Sequence, residues 1–483
     1  TPAPWLNVVA NPSFGFQVSE SGSGYTWAQN SRENQLTPWL NDPVCDPSGE
    51  AFYIRDEETG ALWSPTASPI RKSDSTYVAH HGHGYSRFRH SWTGIESDLT
   101  QFVSWKKPVK ISRLTLVNHS GRARTLAAAS YVEWVLGFSR ATMAISTVTE
   151  VDSVSGAVFA SNVRSDEYGS KIAFAGFIGV SQNLTCDRAE FIGRNGSLES
   201  PLGLMSGEKL SGRWGAGLDP CAAFASIIEL APGQSIDLVF VLGQAESREH
   251  ARQLIEEVGA TSVDAALNEV TSNWQRLLTK VQVTTPDPSM DLMLNRWLLY
   301  QTTVCRFWAR AALYQAGGAF GFRDQLQDTL ALMIAEPQMA REHILRAASR
   351  QFNEGDVQHW WHPPFGRGVR THFSDDLVWL PFVVSHYLKV TGDHSILEVE
   401  VPFIEGPLLL PGQEDSYYTP TTSVSAASLF EHCARALDKS LGTGAHGLPL
   451  MGAGDWNDGM NRVGHGGQGE SVVLLNVRLR FPE

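Results

Sequence analysis

Two carboxylates flank a tryptophan in the stretch Gly452-Ala453-Gly454-Asp455-Trp456-Asn457-Asp458-Gly459-Met460-Asn461. Breaking a glycosidic bond needs a carboxylic acid to protonate the leaving oxygen, beside a surface that supports a cation-like sugar. Asp455 or Asp458 could be the acid and Trp456 the surface; Asp and Asn between glycines are equally good turn formers. A second stretch runs from His359-Trp360-Trp361-His362-Pro363-Pro364 to Gly366-Arg367-Gly368-Val369-Arg370-Thr371-His372-Phe373-Ser374-Asp375-Asp376. It sets two Trp, three His, two Arg and two Asp in 18 positions. Buried ionic side chains need partners. The mixture suits a sugar site, with carboxylates and guanidinium for vicinal hydroxyls and aromatic faces for the ring. A metal at His359, His362 and His372 is the competing reading, but no HExxH or carboxylate-bracketed His pair supports it. A third stretch, Gly317 to Asp328, ends a loop and opens a helix. There Arg323 and Asp324 could hold hydroxyls, or Asp324 could simply cap the helix. A fourth, His80 to His90, has no metal-site spacing and reads as a surface or interdomain loop.

These residues need a scaffold. Up to about residue 265 the chain reads as short apolar or alternating runs (Phe102–Trp105, Ile111–Val117, Ala127–Val135, Lys171–Val180, Ile227–Leu230, Ile236–Leu242) separated by Gly/Asn/Ser/Asp turns. That pattern predicts a large antiparallel β-sandwich over 1–265. Three- and four-residue spacing then takes over in Ser247–Glu257 and Ser262–Lys280, and residues 266–288 read as a helical linker. Beyond it, Met290–Ala312, Gln325–Ala335, Pro337–Phe352, Asp375–Val390 and Ser423–Leu441 read as helices. Pro337 suits a first helical position, and residues 289–291 and Ser423 are candidate caps. The fold class is thus β plus α multidomain, with an α/α toroid over 289–483 whose loops carry the chemistry.

Composition narrows the function. The 483 residues carry 38 Lys+Arg against 51 Asp+Glu, a net charge of −13, which argues against a general nucleic-acid binder. No apolar run reaches the ~20 residues that span a bilayer, and the first residues lack the pattern of a signal peptide. Five scattered cysteines without a CxxC read as reduced thiols in a cytoplasmic compartment. Fifteen tryptophans fit either sugar-stacking faces or an aromatic-rich core.

The run GAFGFRDQLQD at 318–328, the SDD of 374–376 and the GDWNDGMN of 454–461 resemble the family-94 glycoside phosphorylases. Gly22–Trp39 and Glu431–Asn461 resemble in particular the phosphorylase-like region of cyclic β-1,2-glucan synthases. The resemblance extends to about Ser471. It implies a β-sandwich, a helical linker and an (α/α)6 barrel. It implies inverting phosphorolysis of a β-glucoside, giving α-glucose 1-phosphate, with inorganic phosphate as co-substrate and no metal or other cofactor. One carboxylate then suffices, because phosphate replaces the activated water. Carried over by residue, the acid is Asp458, Trp456 lines the sugar, and Asp375 and Asp376 bind its hydroxyls. Arg370 is matched less securely, with Arg367 competing. Arg323, Asp324 and Asp455 complete the expected substrate-binding set. A hydrolase on the same scaffold would need a second carboxylate, for which Glu414 and Asp415 are weak candidates, and a non-catalytic glucan-binding remnant is the third reading. After Ser471 the sequence leaves the family pattern, so the barrel is expected to be incomplete and the phosphate-binding loops absent. The implied setting is the cytoplasmic face of the inner membrane within a larger membrane protein. The implied partners are β-glucan and phosphate, with the homodimer common among such phosphorylases, and with neither nucleic acid nor direct membrane insertion.

Overall fold

The computed structural model describes residues 4–410, 412–464 and 466–474. Two compact units result. The first runs to Gln275 and takes in Trp308–Gly318; the second comprises Arg276–Phe307 and the residues from Ala319 onward.

The first unit is antiparallel β. Eight strands pair in the order Thr147–Val151, Val158–Asn162, Ile172–Ile178, Ser235–Ala245, Val109–Asn118, Ile95–Val103, Tyr85–Trp92 and Tyr77–Gly82. Five more pair in the order Asn183–Asp187, Pro220–Leu230, Arg124–Glu133, Glu50–Asp56 and Leu62–Trp63, and the first three strands of the chain form a separate sheet. Alternation does the sorting. In Val109–Asn118, Leu114 and Leu116 are buried while Arg113 and Thr115 are not, and the register sets Leu114 opposite both Leu99 and Leu238. Leu114, Leu99 and Phe240 from the larger sheet share one buried cluster with Ile54, Ala128 and Phe224 from the smaller. The N-terminal β-sandwich is therefore present. The cysteines are free.

Each run predicted from alternation overlaps an observed strand, though Phe102–Trp105, Ala127–Val135 and Lys171–Val180 run past the ends of theirs. The His80–His90 stretch is not a loop. It forms the edge hairpin Tyr77–Gly82/Tyr85–Trp92, where His90 stacks on Tyr77 at 3.9 Å. Part of the tryptophan set serves the core: Trp27, Trp63, Trp134, Trp274 and Trp361 are fully buried. Trp105, Trp274 and Trp308 meet at ring distances of 5.0–5.8 Å.

Helical spacing predicts that a helix ends at Ala312 and that a loop follows it. Instead Arg310 takes a positive φ of 50°, which a right-handed helix cannot continue. Its guanidinium donates to the carbonyls of Trp308, Gly318 and Gln29. Ser31 donates to the Ala309 carbonyl at 2.7 Å and Asn30 to that of Gly318 at 3.0 Å.

The second unit is mainly helical. Asp287, rather than residues 289–291, caps Pro288–Leu292 by accepting from the Ser289 N–H, and the helical path continues to Trp308 through two wide, π-type turns. Helices Phe322–Leu332, Pro337–Ala348, Asp376–Thr391 and Leu429–Ser440 follow, with Pro337 in the first turn of the second. The last helix was expected from Ser423. Thr421–Ser428 is instead a strand paired with Glu400–Glu405, and Ser428 caps the helix by accepting from the Glu431 N–H. Threonine and valine compete poorly for helix and well for strand, and serine favours the cap. The stretch 358–371 forms strands Gln358–His362 and Arg367–Thr371, the central pair of a small sheet with Phe320–Gly321 and Asp415–Tyr418. Among the described residues, no helix is long and apolar enough to cross a membrane.

Candidate active site

Arg323 sits in the first turn of helix Phe322–Leu332 and is buried. Its guanidinium gathers three acceptors from two other segments. Nη1 donates to Asp375 Oδ2 at 3.1 Å and to the Asp455 carbonyl at 3.2 Å, and Nη2 donates to Asp458 Oδ1 at 3.0 Å. A planar fork of five N–H donors is suited to holding several acceptors in fixed directions.

Asp375 and Asp376 open helix Asp376–Thr391, and both are 1% exposed. Asp375 Oδ2 also accepts from Trp379 Nε1 at 3.1 Å, one helical turn on. Asp376 Oδ2 is bonded to His359 Nδ1 at 2.8 Å, and His359 lies flat on Phe373 with ring centroids 4.4 Å apart. The second oxygen of each carboxylate, Oδ1, is buried without a hydrogen-bond partner among the described residues. Buried acceptors are almost always satisfied in folded proteins, so each exception calls for an explanation, of which a ligand that completes the set is one. A pair of neighbouring acceptors fits adjacent hydroxyl donors. Burial, and then the charge of Asp376, pushes the Asp375 carboxyl up to about 6, with Arg323 opposing.

The loop carrying Asp455, Trp456 and Asp458 is stitched beside this helix start. Ala453 N–H donates to the His372 carbonyl at 3.0 Å, and Ser374 N–H donates to the Gly454 carbonyl at 3.0 Å. Gly452 turns the chain at φ 64°, where an added Cβ would overlap the His372 carbonyl oxygen. Gly452→Ala should therefore displace the loop and cost about 2–4 kcal/mol through combined clash and positive-φ strain. Urea unfolding of the chain checks this, and an unchanged midpoint would refute it.

The two loop carboxylates differ in role. Asp455 is 4% exposed. Its Oδ1 accepts from the Asn457 N–H at 2.9 Å and its Oδ2 from Ser471 Oγ at 2.6 Å. Burial works against its charge, but the Ser471 and Asn457 bonds hold it below the usual carboxylate range. Asp455, expected at the substrate, anchors the turn through these bonds. Asp458, with its side chain 62% exposed, is the accessible acid of the group. Trp456 is exposed, its Nε1 at 3.4 Å from Gln327 Oε1.

Arg370, also expected at the substrate, lines the neighbouring cleft and is held by protein partners. Its Nε and Nη2 hold Asp356 at 2.7 and 2.8 Å, Nη2 also reaches Glu354, and Nη1 donates to the carbonyls of Gly406 and Pro407. All five donors are engaged, and the group stacks on Phe352 at 3.8 Å. Arg367 is on the exposed side of the same strand. Asp324 lies at the edge of the cluster, half exposed, 3.6 Å from Arg323 Nε. Glu414 accepts from Asn461 at 2.8 Å, and Asp415 opens an outer strand. A cleft of about 640 Å³, lined among others by His372, Ser374, Leu408 and Glu414, shares Phe373 with the site. No group of three or more His, Cys, Asp or Glu is placed to hold a metal among the described residues; His359 is turned to Asp376. Trp379, Phe373 and Gln327 enter the site without a sequence signal that isolates them, except that Trp379 lies four residues after Asp375.

Comparison with known proteins adds the relatives. The model for the supersandwich domain of glycosyl hydrolase 94 matches residues 1–261, and that for the catalytic domain of the glycosyl hydrolase 94 superfamily matches 273–479. The chain is 46% identical over 475 residues to cyclic beta-(1,2)-glucan synthase NdvB of Rhizobium meliloti (strain 1021), covering 98% of this chain and 17% of that protein. It is 26% identical over 512 residues to N,N'-diacetylchitobiose phosphorylase of Vibrio proteolyticus, covering 98% of this chain and 61% of that one. The solved structure of a bacterial glucoamylase complexed with acarbose is similar in fold, with TM-score 0.54 at 9% identity over 80% of this chain and 57% of that one. The chain thus spans less than two thirds of these curated relatives.

Proposed function

The chain belongs to glycosyl hydrolase family 94, and from that premise we propose that it is a phosphorylase-type domain acting on β-glucan within a cyclic β-1,2-glucan synthase, on an (α/α)6 barrel. The observation that carries the reading is the pair of unpartnered buried oxygens on Asp375 and Asp376, tied through Arg323 to the accessible Asp458. The oxygens would accept hydroxyls of the terminal glucose. Asp458 would donate its proton to the glycosidic oxygen as the C1–O bond breaks, and a phosphate oxygen would form the new bond to C1 from the opposite face. The phosphate proton would return to Asp458, leaving α-glucose 1-phosphate and a glucan one unit shorter. Inorganic phosphate is the co-substrate, and no metal or organic cofactor is needed for this balance. The proposed setting is cytoplasmic, as part of a larger membrane protein.

Product analysis with β-1,2-, β-1,3- and β-1,4-linked glucan oligomers tests the reading. Phosphate-dependent release of α-glucose 1-phosphate from the β-1,2 series is expected. Free glucose formed regardless of phosphate would replace the reading by a hydrolase, and binding without turnover by a glucan-binding remnant.

The site also carries a pH signature. Asp375 loses its charge as pH falls through about 6, so glucan affinity should decline below that value, approaching tenfold per pH unit. Stability should run the other way. A carboxyl raised from its unfolded value near ~3.9 binds its proton more tightly when folded, so this group opposes folding above that range and adds stability as pH drops from 6 toward 4. Calorimetric affinities and unfolding midpoints across this window check both signs; parallel trends would refute the assignment to Asp375.

A further inference from the structure

Two adjacent buried carboxylates repel each other, and Arg323 faces Asp375 rather than Asp376. The countercharge at Asp376 comes from His359, on strand Gln358–His362. The imidazole is held on two sides, by the 2.8 Å bond to Asp376 and by the parallel ring of Phe373. We propose that His359 is a positioning residue of the sugar site, whose imidazolium, clamped between Asp376 and Phe373, supplies the positive charge that lets both carboxylates stand side by side with their free oxygens turned to substrate hydroxyls. It rests on the phosphorylase reading only for the identity of the ligand.

The surroundings support a charged ring. Burial opposes the charge, but the Asp376 carboxylate outweighs it and holds His359 above its ordinary range. The other charged groups that act on it are Arg323, from helix Phe322–Leu332, which lowers it, and Asp458, from the loop, which raises it. The cluster then balances two cations, Arg323 and His359, against Asp375, Asp376 and Asp458. Removing the imidazolium strips one cation from beside the pair, so Asp375, already pushed up to about 6 by burial and by Asp376, must hold its proton to higher pH. Opposite charges within hydrogen-bond reach shift a carboxyl by one unit or more; His359 stands in that relation to Asp376, whose charge in turn raises Asp375. His359 thus sets where, on the pH scale, the sugar site opens.

The variant His359→Asn separates charge from geometry, because the Asn amide places a donor near the Nδ1 position without a charge. In wild type, an NMR titration of the His359 ring without sugar should give a midpoint above ~6.5, lowered in Asp376→Asn. A wild-type midpoint at or below ~6.5 overturns the proposal, whatever the chain binds. The second readout is glucan-oligomer affinity against pH. In His359→Asn the acid limb should move up by about one unit, a loss of about fivefold at pH ~6 that nears tenfold at pH ~5 and shrinks below about twofold at pH ~8. A merely structural role would lower affinity equally at every pH, and that result also overturns it. If wild type binds no glucan at any pH, the phosphorylase reading fails while the NMR midpoint still judges His359.

Discussion

Replacing Asp458 by Asn should lower turnover by about 10²–10⁴-fold while leaving glucan affinity within about twofold of wild type. An amide oxygen can still accept the 3.0 Å bond from Arg323, so the loop keeps its place, but an amide has no proton to give the leaving oxygen. Exposure of the side chain makes a folding defect an unsuitable explanation for the loss. Asp455→Asn is the internal control. Its two oxygens hold Asn457 and Ser471, so the change should cost about 1–3 kcal/mol of stability and a smaller part of turnover. Steady-state kinetics beside urea unfolding separates the pair. Abolished turnover in Asp455→Asn with near-normal turnover in Asp458→Asn would reverse the roles.

Arg323→Met should be the most damaging change to the fold of the second unit. Methionine keeps the length and removes the charge, leaving buried Asp375 facing Asp376 without the guanidinium. Breaking a buried ion pair from one side costs about 3–5 kcal/mol, and glucan binding should be lost with it. The sign with pH is distinctive. Asp375 would hold its proton to higher pH still, so the variant should regain part of its stability on acidification toward pH ~5. Arg323→Lys should fall between, since one ammonium cannot reproduce a fork spanning Asp375, Asp458 and the Asp455 carbonyl. Chemical unfolding at two pH values measures this. A variant as stable as wild type at neutral pH would show that Arg323 does not hold the cluster together.

Local chemistry made much of the frame legible. Val109–Asn118 alternates through its second half, Ser235–Ala245 ends in a continuous buried run, and Pro337 marks the start of its helix, so one-dimensional patterns suffice. Thr421–Ser428 escaped because its pairing partner, Glu400–Glu405, lies elsewhere in the chain. The same limit governs the site. Nothing within Asp-Trp-Asn-Asp tells its two carboxylates apart; Ser471, sixteen residues on, does so by occupying one of them. Arg370 and Arg323 are alike as residues, yet Glu354 and Asp356 claim the first and leave the second to the acid cluster. His359 read as a metal candidate because histidine spacing is visible in a sequence and a carboxylate arriving from another element is not.

The return of Trp308–Gly318 to the first unit bears on synthesis and on evolution. A ribosome delivers Gln275 well before the first unit has its full set of parts. The intervening 276–307 must emerge before Ala309 and Gly318 can meet Ser31 and Asn30, so the N-terminal unit finishes folding only after translation of its neighbour is under way. Recombination meets the same constraint. A crossover between Gln275 and Arg276 exchanges the helical unit together with a piece of the sandwich, and the incoming Trp308–Gly318 must suit a host loop at Gln29–Ser31 with which it did not evolve. Gene fusions that inherit this pair are therefore expected to carry it whole.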